Sequence, residues 1–213
     1  MPQTSGYPDT PLSVLLGAPQ AEYGIPLIQQ LMNGGLPYRE SIPDRRLITG
    51  AITPTSGVEH LQAVPLLAGD VITNISLVSN TALTMGSNAD GHLWFSLRTA
   101  TGSLILQTAD QGGAATWAAN TWKTLALSGG PYTVPQTALY YVGAMQNIGT
   151  GGAPVIANLK GNTISSVIFG GGNTGQPAGQ KAFCGTAGSS LGASAPGSAT
   201  LANSSQWFYC VTS

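Results

Sequence analysis

Asp90, His92 and Ser96 are the residue types of a nucleophilic triad, and in a strand their even separations place all three on one face at the start of a hairpin. Activating a serine needs a hydrogen bond between base and nucleophile that sequence proximity does not supply, and no Gly-x-Ser-x-Gly turn is present. Asp70, Asp90 and Asp110 have the residue type of a glycosidase pair, whose carboxyl groups sit about 5–10 Å apart across a sugar. Each flanks a predicted strand end, where aspartate caps turns through its own side chain. Ser87-Asn88-Ala89-Asp90-Gly91 is oxygen-rich but lacks the acidic count and terminal Glu of a helix-loop-helix calcium site, and reads as a turn. Gly170-Gly171-Gly172-Asn173-Thr174-Gly175 has no Gly-Lys-Ser/Thr and is no phosphate loop. His60 and His92 lack the paired spacing of zinc sites, as do Cys184 and Cys210, the only cysteines. The sequence therefore predicts no catalytic residue, no metal and no cofactor. For the cysteines two readings stand: reduced thiols, favoured by cytosolic synthesis, or a disulfide tying the last strand to a glycine-rich loop.

The aromatic residues have a second kind of chemistry. Sugar rings stack on exposed Trp and Tyr, and Trp94 and Tyr140 are predicted on an outward face while Trp117 and Trp122 flank an Asn120-Thr121 corner. Interfaces between proteins are themselves enriched in these residues. The favoured expectation is that Trp117 and Trp122 cap the fold and Trp94 packs between subunits, with indole N–H groups satisfied by backbone carbonyls. Glycan contact through Trp94, Trp117, Trp122 and Tyr140 is the alternative.

Such residues need strands to hold them. From Leu47 onward the hydrophobic period is two. Leu93, Phe95 and Leu97 alternate with Trp94, Ser96 and Arg98; Leu139, Tyr141 and Met145 alternate with Tyr140, Val142 and Ala144. The inward set after Asp70 is expected to be Val71, Ile75 and Leu77. Thr101-Gly102 predicts a tight turn into residues 104–107. Pro65 predicts that residues 60–67 form an edge or bulged strand. Short strands separated by turn residues predict an all-β fold, an antiparallel jelly-roll-like β-sandwich over residues 47–213 with Gly-rich loops.

Residues 1–46 read as an extended docking arm, because its prolines deny it a continuous helix or a central strand. One short helix is predicted over residues 26–33, with Gly34 as its terminator. About two turns of helix cannot persist alone in water, so Leu27, Ile28, Leu31 and Met32, with Tyr23, are expected to dock.

Charged residues make up 7% of the 213-residue chain, against about 25% in ordinary soluble proteins. So little charge suits a surface buried in an assembly. The net charge of −1 gives no footprint for nucleic acid, and no apolar run of about eighteen residues is present to span a membrane. The amino terminus does not read as a secretory signal. No Asp or Glu follows Asp110, so the two halves are opposed in charge.

The strands of residues 69–146 carry a resemblance. Their core reads Gly69-Asp70-Val71-Ile72-Thr73-Asn74-Ile75-Ser76-Leu77, His92-Leu93-Trp94-Phe95-Ser96-Leu97-Arg98, Leu104-Ile105-Leu106-Gln107-Thr108-Ala109-Asp110, Trp117-Ala118-Ala119-Asn120-Thr121-Trp122 and Ala138-Leu139-Tyr140-Tyr141-Val142-Gly143. This resembles the β-sandwich module of minor tail proteins of tailed bacteriophages that infect actinobacteria, over about residues 57–146. The resemblance implies a non-enzymatic virion structural protein assembled in the host cytoplasm, most directly at the tail tip or baseplate. The expected partners are copies of itself, as a homotrimer, other virion proteins and a host cell-surface glycan. A capsid decoration or head fibre protein and a carbohydrate-binding module are the alternatives.

Overall fold

In the computed structural model the described residues are 38–41, 50–85, 91–112, 116–149, 159–162, 184–189, 193–199, 206–207 and 209–212. The chain divides into two compact units, Met1–Leu36 and Pro37–Ser213, and every described residue belongs to the second. The predicted helix at 26–33 and the docking residues Tyr23, Leu27, Ile28, Leu31 and Met32 lie outside the described set. Tyr38–Glu40, inside the stretch expected as an arm, is a strand of the second unit.

The strands in chain order are β1 (Tyr38–Glu40), β2 (Gly50–Ile52), β3 (Val58–Leu66), β4 (Val71–Ile72), β5 (Asn74–Val78), β6 (Leu83–Thr84), β7 (His92–Arg98) and β8 (Leu104–Gln107). There follow β9 (Thr116–Trp117), β10 (Trp122–Ala126), β11 (Tyr132–Thr133), β12 (Ala138–Asn147), β13 (Leu159–Asn162), β14 (Cys184–Ser189), β15 (Gln206–Trp207) and β16 (Tyr209–Thr212). All pairings among the described residues are antiparallel. One main sheet has the order β1-β16-β5-β10 and the other β14-β3-β12-β7-β8. Leaving out β14, the chain visits the two sheets in the order of a jelly roll, two interlocked Greek keys. The expected all-β sandwich is therefore present.

The main core lies between the sheets, where Val64, Leu66, Ile75, Leu77, Leu93, Phe95, Leu97, Tyr140 and Val142 pack together. Ile75 and Leu77 face inward as expected, but Val71 is 40% exposed and Ile72 takes the buried position. The phase changes because Thr73 separates β4 from β5, and a one-residue shift moves a side chain to the opposite face. β12 runs opposite to its expected phase: Tyr140 faces the main core, while Tyr141 and Met145 lie in clusters on the far side of the sheet. Both sets are apolar, so alternation alone could not fix which pointed inward.

Pro65 sits in an interior strand, since β3 lies between β14 and β12. Among the described residues, however, β14 pairs with β3 only from Val58 to Gln62, short of Pro65, and a missing N–H is tolerated where a ladder stops. The turn after β7 has Gly102 at φ +87, and a Cβ there would collide with the Ala199 carbonyl oxygen.

Trp117 and Trp122 separate sharply in burial, 3% against 50% exposed. Trp117→Ala is expected to cost about 3–5 kcal/mol of stability, and Trp122→Ala less than about 1 kcal/mol. Urea denaturation of the two variants checks this; equal losses would contradict the packing described.

Candidate functional site

The far face of the β3-β12-β7 layer carries the strongest concentration of polar chemistry. Strands lie about 4.8 Å apart, so side chains on β3 and β7 have the width of β12 between them. Gly143 is paired with Leu61 on one side and Ser96 on the other. Glu59 lies across from Met145 and Arg98 across from Tyr141, so the two approach the Gly143 row from opposite diagonals. They meet over the glycine. Arg98 Nε donates to Glu59 Oε1 at 2.8 Å, its Nη2 to Oε2 at 2.6 Å and its Nη1 to the Gly102 carbonyl at 3.0 Å. Ser96 Oγ also donates to Glu59 Oε1. A Cβ on Gly143 would lie 2.7 Å from Leu61 Cδ2 and still closer to Glu59 Oε1 and Ser96 Oγ. Only glycine leaves this crossing open.

Glu59 and Arg98 are both fully buried. Around them Leu61, Ala63 and Tyr141 pack with Ala199, and Trp94 and Met145 with Ala195 and Leu104. Residues 193–199 form a strap on this side. Leu104 N–H donates to the Gly197 carbonyl at 2.8 Å and Ala199 N–H to the Gly102 carbonyl at 3.0 Å. Gln107 clamps its other end, with Nε2 donating to the Ala193 carbonyl at 3.1 Å and Oε1 accepting Ala195 N–H at 2.6 Å. Both charged groups are fully buried and bonded to each other, so the chemistry of the network is to join strands. The sequence reading missed Glu59, Arg98 and the strap; the signal available was a glutamate and an arginine at strand positions, with a glycine inside an apolar strand.

The residues considered for catalysis are divided among different tasks. His92 Nδ1 is hydrogen-bonded to Asp110 Oδ2 at 2.7 Å, and Asp110 Oδ1 accepts Leu93 N–H at 3.0 Å and Gly112 N–H at 3.1 Å. Ser96 is committed to Glu59, not to His92. Asp70 Oδ2 accepts Leu67 N–H at 2.9 Å, while Arg39 grips both carboxylate oxygens, at 3.0 and 2.6 Å, and ties β1 to the turn. Asp90 and residues 87–89 lie outside the described set, as do residues 170–175. Among the described residues no three His, Cys, Asp or Glu side chains converge as a metal site.

The four aromatic candidates do not form one surface. Trp94 lies on the outward side of its sheet, as expected, but the strap side buries it completely. Tyr140, expected outward, packs inside at 6.4 Å from Tyr132, and its hydroxyl donates to the Gln136 carbonyl at 3.2 Å. Burial, with Tyr132 beside it, pushes the Tyr140 phenol up to about 12. Trp117 Nε1 donates to the Thr121 carbonyl at 3.1 Å, across the corner where Asn120 adopts φ 55. Ser79, which the sequence did not single out, fastens that corner through Ala118 and Thr121. Trp122 alone of the four is exposed. Cys184 begins β14 and Cys210 lies in β16, in different sheets; their side chains are outside the described set.

No family model matches the sequence, and a search of curated proteins returns no match.

Two outcomes follow from the buried groups. Glu59→Gln leaves the Arg98 charge buried without its counter-ion and should cost about 3–5 kcal/mol, whereas a Glu59→Leu/Arg98→Met pair should recover most of that loss. Denaturant unfolding tests it, and a double variant no better than the single one would contradict the ion pair's role. His60 is buried, with Nε2 accepting Thr55 N–H at 3.0 Å, and burial pushes its pKa down from 6.5 to about 4. Below about pH 6.5 the unfolded chain takes up a proton that the folded chain refuses, so stability falls towards pH 4 by up to about 3 kcal/mol. His60→Gln should flatten that part of the curve of melting temperature against pH.

Proposed function

We propose that the chain is a non-enzymatic structural protein of a bacteriophage virion, a minor tail component of the tail tip or baseplate. The observation that carries this reading is the internal use of its reactive side chains. Glu59 is consumed by Arg98 and Ser96, Asp70 by Arg39 and a turn, and Asp110 by His92 and two backbone amides. These groups join strands, and a chain already poor in charge is left with an even less charged surface. Such a surface favours contact with neighbours over life as a free monomer. The jelly roll agrees with the resemblance of residues 57–146 to tail modules, since this architecture recurs in viral proteins and in lectins. Fold alone does not assign function. Trp122, half exposed, supports a second reading in which the chain also touches host glycans.

The test is immunogold negative-stain microscopy of particles, with antibody against this chain, alongside the infectivity of His92→Ala and Asp110→Asn. Label at the tail end and infectivity within a few-fold of the parent are expected. Label confined to the head would select a decoration or fibre role. Host-envelope hydrolysis by the parent that vanished in these variants, with melting unchanged, would overturn the structural reading.

A further inference from the structure

The corner that leads into β10 is fastened by its own hydrogen bonds. Ser79 Oγ donates to the Ala118 carbonyl at 2.6 Å and accepts Thr121 N–H at 3.2 Å, and Thr121 Oγ1 donates to the same Ala118 carbonyl at 2.7 Å. Lys123, the only charged residue between Thr116 and Ala126, gives its ammonium to the Thr116 carbonyl at 3.3 Å. The surface around the corner is uncharged: Thr84, Thr116, Asn120, Thr121 and Thr124 are exposed, and Trp122 among them is 50% exposed. Among the described residues the other large apolar side chain that is exposed is Val71. It comes three residues before Asn74, whose row lies about 13 Å along the sheet from that of Trp122. A protein interface is centred on a cluster of apolar side chains. A lone indole ringed by hydroxyls and an amide is a different kind of surface.

We propose that this corner binds a neutral saccharide, with a sugar ring stacked on Trp122 and its hydroxyls bonded to Asn120 and Thr124, two residues to either side. The C–H face of a sugar ring is slightly positive and suits the negative face of the indole. Amide and hydroxyl groups both donate and accept, which matches the mixed character of sugar hydroxyls. Lys123 is the one charged residue in 78–84 and 116–126 and is already engaged, so an anionic polysaccharide is offered no dedicated ion pair. Asn120 holds φ 55 in a corner tied on both sides, so little ordering remains to be done when a ligand arrives. This site rests on the second reading, contact with host glycans, and gives it a place and a chemical class.

Affinity electrophoresis of the full chain tests it, with a glucan, a galactan and a mannan as neutral probes and polygalacturonate as the anionic one. The parent should be retarded by at least one neutral polysaccharide and not by polygalacturonate. Trp122→Ala should lose about five- to tenfold in affinity, and Trp122→Phe should keep most of it. Asn120→Gly, which keeps the left-handed backbone and removes the amide, should weaken binding with melting unchanged. Val71→Ala, at the other end of the sheet, should bind like the parent. Binding undiminished in both Trp122→Ala and Asn120→Gly would overturn the site while leaving glycan contact standing, and binding to polygalacturonate alone would overturn the neutral class. Binding to no polysaccharide would overturn the site together with the reading beneath it. Loss of Trp122→Ala from particles in that case would mark the corner as a contact with another protein.

Discussion

The second layer of this protein depends on one crossing: a carboxylate and a guanidinium meeting above a glycine. Burying two charges is costly, and the cost is recovered only when geometry is good and the remaining donors and acceptors are satisfied. Here all three guanidinium nitrogens of Arg98 are engaged, and Ser96 adds a further donor to Glu59. The result links β3 to β7 across β12 through side chains, in addition to the backbone ladders of the three strands. It also constrains register, because a shift of one residue in β12 would put a side chain where Gly143 now leaves room.

That constraint explains why β12 is buried on both faces. A sandwich strand ordinarily keeps one face wet, giving an apolar and polar alternation. In β12 the main core takes Tyr140, Val142 and Ala144, while the far side takes Tyr141 and Met145 beneath the strap side. The strap residues Ala195 and Ala199 are small, which allows their backbone close to the sheet. Gly102, where any Cβ would strike the Ala199 carbonyl, is the matching requirement on β8's side.

The fold class was legible because the period of two is strong in β7 and the turns at Thr101-Gly102 and Asp70 have distinctive residue types. The phase of β12 was not legible, because both of its sets are apolar, and nothing in sequence distinguishes a wet outer face from one covered by a distant strap. Trp94 was misjudged as a subunit contact for the same reason: its outward side is buried by its own chain. The Glu59–Arg98 pair was invisible because its partners are 39 residues apart and the glycine that joins them is on a third strand. Asp70 and Asp110 were easier, since an aspartate beside a turn acts locally, although the grip of Arg39 on Asp70 needed the tertiary fold.

The central claim is that the far face of the second sheet is a closed structural layer and not an open binding surface. Amide hydrogen exchange of the native chain tests it most directly. The amides of Leu104 and Ala199, which tie the strap to β8, should exchange as slowly as the core amides of β7 and β12, through global unfolding. Rapid exchange at Leu104 and Ala199 while β7 and β12 stay protected would show the strap opening in the folded protein, and would contradict the account.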